Sequence, residues 1–384
     1  MQLLGGLTAK AFLQDYWQKK PLLIRQALPG FRSPLSPDEL AGLACETEVE
    51  SRLILEKDGA APWQLEHGPF EESRFADLPA THWTLLIQKA NQLLPELAEL
   101  LEQFNFIPGW RIDDVMVSYA SHQGSVGPHV DQYDVFLLQG LGTRRWQIST
   151  QDVSQCPLWD NTELQILREF EPEQEWKLEP GDMLYLPPNV AHYGVALNDC
   201  MTFSIGFRAP RYSELLSAWT DDQIVHLPAR LHYQDPDLQP PGHSGEIDAA
   251  ARQRIRNIIR QQFVSDSDID RWFGRYITEP PSQSLPFEPE MVLAAEHFQS
   301  RLTACGELWR SEFSRLAFIS GSAAVWLYVD GQEFALTPNL AEFAALLCDK
   351  RRYPLAELQP YLADKQAREI LTAIYNIGAV EFSP

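Results

Sequence analysis

The sequence contains few cysteines and no long apolar stretch. Five of its 384 residues are cysteines, and no two of them form a CxxC pair. They are Cys45, Cys156, Cys200, Cys305 and Cys348. An odd, scattered set argues against a disulfide framework or a cysteine-rich zinc module and is typical of reduced thiols. No run approaches the roughly 20 apolar residues that a membrane-spanning helix requires. Because the N-terminal segment also lacks the pattern of a signal peptide, we predict a cytoplasmic protein without membrane association.

Basic side chains are also scarce. The chain has 31 lysines and arginines against 53 aspartates and glutamates, so its formal net charge is −22. A strongly acidic chain repels phosphate backbones, and we therefore expect no direct binding of nucleic acid. The charge is compatible with a basic protein partner, or it serves only solubility. Hydrophobic residues make up 45% of the chain, which is enough for a sizeable core, and the length indicates two to three domains.

The first half of the chain changes from helical to strand-like patterning. The spacing of Phe12, Tyr16 and Trp17 predicts a helix over 8–20, and Ser36 followed by Pro37 predicts a capped helix over 36–48. A further amphipathic pattern predicts a helix over 81–104. From about 111 to 208, apolar and polar residues alternate with a period of two. The alternation occurs in short segments that are separated by turn residues. These runs predict an antiparallel barrel or sandwich within a first domain over 1–210.

The second half begins with a helical region and ends in a small α+β domain. Residues 227–245 are rich in proline and polar side chains and resemble a linker, as do residues 280–290. Between them, 246–276 is predicted to be helical, with an apolar face. Its apolar residues are Ile255, Ile258, Ile259 and Phe263. Such spacing fits a dimer interface or internal packing equally well. We place the domain boundaries at 211–280 and 281–384.

Two motifs in the strand-like region predict a metal site. His129 and Asp131 are two residues apart, so on a strand their side chains face the same cavity. Further along, a Pro-Pro-Asn turn at 187–189 brings His192 onto an adjacent strand. Two histidines and one carboxylate leave three coordination positions open, an arrangement that suits non-haem Fe(II). The alternative is that His129 is an ordinary core histidine and His192 a turn residue.

A third element predicts an anion site in the same barrel. Strand alternation places Arg144, Trp146 and Ile148 on one face, and an arginine that points into an apolar interior requires an anion. A dicarboxylate co-substrate with one end on iron would supply it. Arg144 could instead lie on the surface, with Arg145 as its competitor for the inward position.

The last strand-like run of the barrel, 201–208, alternates between apolar and polar residues. The hydroxyls of Thr202 and Ser204 lie on its polar face, and they either hydrogen-bond a carboxylate in the metal cavity or face solvent.

The residues around these motifs resemble a known family. HVDQYDVFLLQG, TRRW and EPGDMLYLPPNVAH are similar to segments of the cupin-fold JmjC 2-oxoglutarate oxygenases. YWQKKPLLIRQ, SPDELAGLA and WRIDDVMVSYA narrow the resemblance to the ribosomal oxygenase branch, and within it to bacterial enzymes that hydroxylate an arginine of a large-subunit ribosomal protein. The resemblance extends through nearly the whole chain.

This resemblance implies an α+β fold class: a double-stranded β-helix (jelly-roll, cupin) JmjC barrel, a helical dimerisation segment and a small winged-helix-like domain. It also implies a homodimer. Fe(II) would be bound by His129, Asp131 and His192, and Arg144 would bind the distal carboxylate of the co-substrate 2-oxoglutarate. Dioxygen would be the second co-substrate.

The resemblance further implies the substrate: one arginine of a basic ribosomal protein, hydroxylated at carbon 3. Tyr133, on the same face as His129 and Asp131, is a candidate contact for the substrate side chain, and packing in the barrel core is its alternative.

Three other functions remain open at the level of the sequence. A JmjC lysine demethylase shares the iron chemistry, although the chain has neither a basic reader domain nor a cysteine-rich zinc module. A cupin that binds a ligand without catalysis, or an isomerase that uses zinc or manganese, would also use such a metal site. A winged-helix-like domain is compatible with a DNA-binding regulator, but residues 285–384 carry more acidic than basic side chains, which is the wrong sign for DNA.

Overall fold

The structure is a computed structural model that describes residues 2–57, 62–160, 162–240, 245, 247–261, 265–280 and 291–383. The chain divides into two compact units, Met1–Ala209 and Pro210–Pro384. Within the described ranges, no helix is both long enough and apolar enough to span a bilayer.

The first unit is a jelly roll built from two antiparallel sheets. Its strands are β1 (Leu22–Ile24), β2 (Ser51–Glu56), β3 (Trp63–His67), β4 (Trp83–Ile87), β5 (Ile112–Ala120), β6 (His129–Val130), β7 (Val135–Leu141), β8 (Arg144–Ser149), β9 (Gln174–Leu178), β10 (Met183–Leu186), β11 (Ala191–Ala196) and β12 (Cys200–Phe207). Its helices are α1 (Ala9–Asp15), α2 (Pro37–Leu43), α3 (Glu72–Ala76) and α4 (Pro95–Glu102).

The two sheets have different partners on their faces. The larger sheet has the strand order β1-β10-β7-β12-β5-β4-β2-β3, and the smaller one has the order β6-β11-β8-β9. One face of the larger sheet packs on helices, where Phe12 of α1 and Leu40 of α2 join Phe203 of β12 in a single core. The other face meets the smaller sheet in an apolar cluster that includes Leu137 and Trp146. The predicted jelly-roll class is therefore confirmed.

Local capping explains where the first helices begin. In α2, the Glu39 N–H donates to Ser36 Oγ at 3.2 Å and the Ser36 N–H donates to Glu39 Oε2 at 2.7 Å, which is a complete capping box. The predicted cap is confirmed. Helix α1 is shorter than the predicted 8–20: it is capped by Thr8 and ends at Asp15, before Pro21.

The helix predicted over 81–104 is wrong for its first half. Trp83–Ile87 forms β4, which pairs with β2 on one side and β5 on the other, and α4 begins only at Pro95. The apolar run from Thr84 to Ile87 is buried in the sheet. A short, fully buried run does not distinguish a strand from a helix by periodicity, and here the pairing of neighbouring strands decided it.

The second unit contains the helical segment and a winged-helix-like domain. Its helices are α5 (Tyr212–His226), α6 (Ala249–Gln261), α7 (Asp266–Thr278), α8 (Ala295–Cys305), α9 (Ala341–Asp349), α10 (Leu355–Leu358) and α11 (Lys365–Asn376). Its strands are β13 (Glu307–Arg310), β14 (Leu316–Ser320), β15 (Val325–Val329), β16 (Gln332–Leu336), β17 (Arg352–Pro354) and β18 (Val380–Phe382). They form two three-stranded sheets, β17-β13-β18 and β14-β15-β16.

The single helix predicted over 246–276 is instead two helices. Helix α7 has its own N-cap, because Ser265 Oγ accepts the Asp268 N–H at 3.2 Å. Ser265, a capping residue within an otherwise periodic apolar pattern, was the local signal that one helix ends and another begins here. Phe263, assigned to the apolar face, and residues 281–290, most of the second predicted linker, lie outside the described residues.

Candidate active site

A cavity of about 310 Å³ lies inside the jelly roll, and the predicted metal ligands line it together. Each of His129, Asp131 and His192 offers one ligand atom, and these atoms lie within 4.8 Å of one another. His192 is buried, whereas His129 and Asp131 are partly exposed toward the cavity. The three residues singled out in the sequence thus form one cluster.

Strand pairing brings the ligands together. Strand β6 pairs with β11 so that His192 lies opposite His129. Asn189, in the turn before β11, has a left-handed backbone with φ of 67°, and its N–H donates to the Asp131 carbonyl at 2.8 Å. Asp131 itself lies just beyond the two-residue strand β6. The turn that delivers one ligand therefore also holds the backbone of another.

The hydrogen bonds of the two imidazole rings define which nitrogen faces the cluster. His129 Nδ1 bonds to the Gly127 carbonyl at 2.9 Å, and His192 Nδ1 bonds to the Val190 carbonyl at 3.0 Å. A carbonyl only accepts, so each Nδ1 carries a proton and Nε2 is the ring nitrogen left to bind a metal. These Nε2 atoms lie 3.9 Å and 3.6 Å from the Asp131 carboxylate oxygens.

Three atoms that can each donate an electron pair to a metal thus converge, an arrangement that a cation stabilises. Burial, with a smaller contribution from the nearby His129, lowers the pKa of His192 to about 4, which keeps its ring neutral and able to ligate. Two imidazoles and one carboxylate are the ligand set of non-haem Fe(II) sites with open positions. The residues present fit that ion.

Arg144 places a buried positive charge in the same cavity. Its side chain is 2% exposed, lines the cavity and stacks over Trp146 with 5.0 Å to the ring centroid. Its Nη1 donates to Ser118 Oγ at 3.4 Å and its Nη2 donates to the Gly194 carbonyl at 3.3 Å, while Nε has no hydrogen-bond partner among the described residues. Neither of these two partners is an anion. A buried guanidinium of this kind has the chemistry to bind a carboxylate.

Arg145, the alternative candidate for the inward position, points away from the cavity. Arg145 does not line the cavity, and its Nε lies 4.0 Å from the carboxylate of Glu175 on β9. Strand alternation therefore placed the two arginines on the correct faces.

The two hydroxyls predicted on β12 both line the cavity, but only one of them is available to bind a ligand. Thr202 and Ser204 line it, and they lie opposite Ser118 and Met116 of β5 in the strand register. The Thr202 hydroxyl donates to Gln139 Oε1 at 3.1 Å, so its proton is already used inside the protein. The Ser204 hydroxyl makes no hydrogen bond to a described side chain or backbone group, so it is the better donor for a carboxylate.

The cavity has a second carboxylate that we did not predict. Asp114 of β5 lines the wall together with Tyr133, and burial raises its pKa to about 6. The Tyr133 side chain is 43% exposed, so it is not packed in the barrel core. Partial burial and the charge of Asp131 raise the pKa of its hydroxyl, which therefore stays protonated. Asp114, Met116 and Ser118 alternate along β5, so two polar residues on one strand face were the available signal.

A long loop between β8 and β9 closes one side of the cavity. Its residues Leu164, Gln165 and Ile166 line the cavity, and Ile166 packs in a cluster with Ile54 and Leu86 of the larger sheet. Gly127, with φ of 81°, leaves room for it, because a Cβ there would lie 2.7 Å from Ile166 Cγ2. The loop therefore forms part of the wall of the cavity that contains the metal ligands.

Comparison with known proteins agrees with this geometry. A family model described as the JmjC domain matches residues 99–215, and one described as a ROXA-like winged helix matches 258–381. A third model, an AraC-like ligand binding domain, matches 171–271. The first match includes all three metal ligands and Arg144.

Relatives and solved structures cover most of the chain. A protein from Escherichia coli named ribosomal protein uL16 3-hydroxylase is 38% identical over 294 residues, which are 74% of this chain and 76% of that protein. A probable ribosomal oxygenase from Haemophilus influenzae is 41% identical over 60% of this chain and 55% of its own length.

A crystal structure of the Escherichia coli protein YcfD superposes with a TM-score of 0.87 at 33% identity, over 98% of this chain and 99% of that one. A structure described as YcfD, a ribosomal oxygenase, in complex with cobalt and 2-oxoglutarate matches with a TM-score of 0.83, over 99% of both chains. The resemblance inferred from the motifs is confirmed, and this chain belongs to the JmjC-domain ribosomal oxygenase family.

Proposed function

We propose that this protein is an Fe(II)- and 2-oxoglutarate-dependent hydroxylase that adds one oxygen atom to carbon 3 of an arginine in ribosomal protein uL16. The observation that carries the proposal is the presence, in one cavity, of three convergent metal ligands and a buried arginine with no carboxylate partner among the described residues. The name of the Escherichia coli relative, uL16 3-hydroxylase, supports the choice of substrate.

His129, Asp131 and His192 hold the metal, and the cavity leaves its remaining positions accessible. Arg144 binds the distal carboxylate of 2-oxoglutarate, with Ser204 as a second donor on the facing sheet. When bound, iron and 2-oxoglutarate together supply the oxidising power that inserts one atom of dioxygen into a C–H bond, while 2-oxoglutarate becomes succinate and CO₂. The protein supplies ligand geometry, co-substrate orientation and exclusion of water.

Other residues of the cavity lining suit an arginine side chain. Asp114 offers a partly buried carboxylate, and binding of a guanidinium would compensate the burial that raises its pKa. Tyr133 and Met116 offer an aromatic ring and an apolar contact for the methylene part of the side chain. Asp114 and Tyr133 are thus our candidates for substrate recognition.

The charge of the whole chain fits a basic substrate. A net charge of −22 attracts a ribosomal protein that is rich in lysine and arginine and disfavours contact with nucleic acid. Five free cysteines and a ribosomal substrate support a location in the cytoplasm. The encounter is expected to slow as salt is added.

The proposed active form is a homodimer that uses α5 and α6. The aliphatic residues Leu216, Ile224 and Val225 of α5 are exposed, as are Ile255, Ile258 and Ile259 of α6. Helix α6 carries four arginines and no acidic residue, whereas α5 carries three acidic residues and, apart from His226, no basic one. Complementary charge beside two apolar faces favours a second copy of the chain, with α6 of each copy against α5 of the other.

Incubation of the protein with Fe(II), 2-oxoglutarate and purified uL16 tests the proposal. We expect mass spectrometry to show one added oxygen on one arginine, with stoichiometric succinate. His129→Ala and Asp131→Ala are expected to abolish both products while keeping a folded melting transition. Wild-type turnover in either variant, or loss of a methyl group in place of oxygen addition, would contradict the assignment.

A further inference from the structure

A fully buried carboxylate, that of Asp134, lies three residues after the metal ligand Asp131. It accepts side-chain hydrogen bonds from three other segments of the chain. Its Oδ1 accepts from the Tyr185 hydroxyl at 2.6 Å, and its Oδ2 accepts from Gln18 Nε2 at 2.9 Å and from Arg111 Nη2 at 3.3 Å. A buried carboxylate costs free energy unless it is paired in this way.

These contacts join distant parts of the first unit. Gln18 follows α1, Arg111 precedes β5 and Tyr185 lies in β10. The partners are also tied to each other, because the Gln18 N–H donates to the Tyr185 hydroxyl at 2.8 Å. Arg111 in turn donates through Nε to the Arg208 carbonyl at 2.7 Å, at the end of β12. Asp134 is therefore the centre of a network, not a partner in one isolated ion pair.

The segment that this network holds is short. Only residues 131–134 lie between β6 and β7, and they include the ligand Asp131 and the cavity residue Tyr133. The Asp131 carbonyl accepts from Asn189 at one end of the segment, and the Asp134 carbonyl accepts from the Phe207 N–H at 3.0 Å at the other. The Asp134 side chain adds the attachment to α1, β5 and β10.

We propose that Asp134 is a positioning residue for the metal centre: its buried network fixes the segment 131–134 and thereby the direction of the Asp131 carboxylate. The inference rests on the metal centre of the proposed function. Metal affinity depends on ligand placement within tenths of an ångström, and groups behind the ligands set that placement. A role limited to stability would instead leave the metal affinity unchanged.

The chain offers a matched control in Asp182. This carboxylate is also buried, at 3% exposure, and its partners are the backbone N–H groups of Gln26 and Glu179 and the Arg25 guanidinium at 2.6 Å. It lies in the same unit, in the turn before β10, and it does not line the cavity. Asp182→Asn therefore removes a comparable buried charge at a site remote from the ligands.

The experiment is a cobalt titration of the full chain, followed by the absorbance of the bound Co²⁺, alongside thermal unfolding. In Asp134→Asn, an amide has one acceptor oxygen in place of two, so at least one of the three donors loses its partner. We expect the dissociation constant for Co²⁺ to rise about tenfold or more in Asp134→Asn. Asp182→Asn should lower the melting temperature yet leave the dissociation constant within about twofold of the wild type.

Tyr185→Phe removes one bond to Asp134 and keeps the ring, so it serves as the milder variant if Asp134→Asn does not fold. It is expected to raise the cobalt dissociation constant by a few-fold. Wild-type affinity in whichever of these two variants is folded would overturn the inference, as would equal weakening in Asp182→Asn. If wild-type protein bound no cobalt, both the inference and the proposed function would fail. If it bound cobalt but did not oxidise uL16, only the proposed function would fail.

Discussion

His192 faces His129 across the antiparallel pair of β11 and β6, and their ring centroids lie 4.2 Å apart. Each ring donates from Nδ1 to the carbonyl of the residue two positions earlier, so both rings are oriented by their own strands. The metal centre is therefore prebuilt by backbone geometry, and the side chains need little rearrangement to receive the ion.

Arg144 is expected to determine affinity for 2-oxoglutarate. In Arg144→Met, loss of a charge-assisted pair worth about 1.5–3 kcal/mol should weaken 2-oxoglutarate binding by roughly 10- to 100-fold. Because Arg144 is buried and no described carboxylate pairs with it, the variant should unfold at a temperature no lower than that of the wild type when no ligand is present. Thermal unfolding with cobalt, with and without 2-oxoglutarate, measures both effects. Arg145→Met is the control, and an unchanged response to 2-oxoglutarate in Arg144→Met would refute this role.

Gly194 is expected to be required for the conformation of Arg144. A Cβ at this position would lie 2.8 Å from Arg144 Nε and 2.7 Å from the Trp146 ring. Gly194→Ala should therefore displace the guanidinium and raise the KM for 2-oxoglutarate about tenfold, while cobalt affinity stays at the wild-type level. Gly42→Ala, where no atom lies within 4 Å of the added Cβ, provides the control. Equal KM values in the two variants would argue against the contact.

Asp114 is expected to lower the stability of the folded protein at neutral pH and to contribute to substrate binding. Burial raises its pKa from 3.8 to about 6, so the folded protein holds this proton more tightly than the unfolded chain does. The resulting cost is absent below about pH 4, grows as the pH rises and is complete above about pH 6, with an upper bound of about 3 kcal/mol.

Asp114→Asn should therefore unfold at higher denaturant concentration than the wild type at pH 7.5, but not at pH 4, and it should raise the KM for uL16. Asp113→Asn is the control, because the Asp113 side chain is 53% exposed. Denaturant titrations at the two pH values, together with substrate kinetics, decide the matter. A variant less stable than the wild type at pH 7.5 would contradict the prediction.

The helical segment is expected to dimerise through α6. Ile258→Glu places a charge on the exposed apolar face and should convert a dimer of twice 43.8 kDa into a monomer in light scattering. Val292→Glu changes another exposed aliphatic residue of the second unit and serves as the control. A wild-type protein that is monomeric at micromolar concentration, or an Ile258→Glu dimer, would rule out this interface.

The local sequence was sufficient to predict a feature where the geometry of that feature depends only on neighbouring residues. The N-cap at Ser36 and the alternation of Arg144 with Arg145 were both predicted correctly, because each depends on residues within a few positions. The helix over 81–104 was wrong because a short buried run has no distinctive period. The break before α7 was missed although Ser265 signalled it.

The sequence by itself predicted which residues would bind the metal and which arginine would point into the same cavity, since an HxD pair, a turn before His192 and strand alternation specify side-chain direction. Only the tertiary structure brought Asp114 and Ser118 into the same cavity and made Asp134 the centre of a buried network. The physical reason is that periodicity specifies the face of a strand but not its neighbour. Pairing of β5 with β12, and contacts from α1 and β10, depend on the packing of the whole barrel.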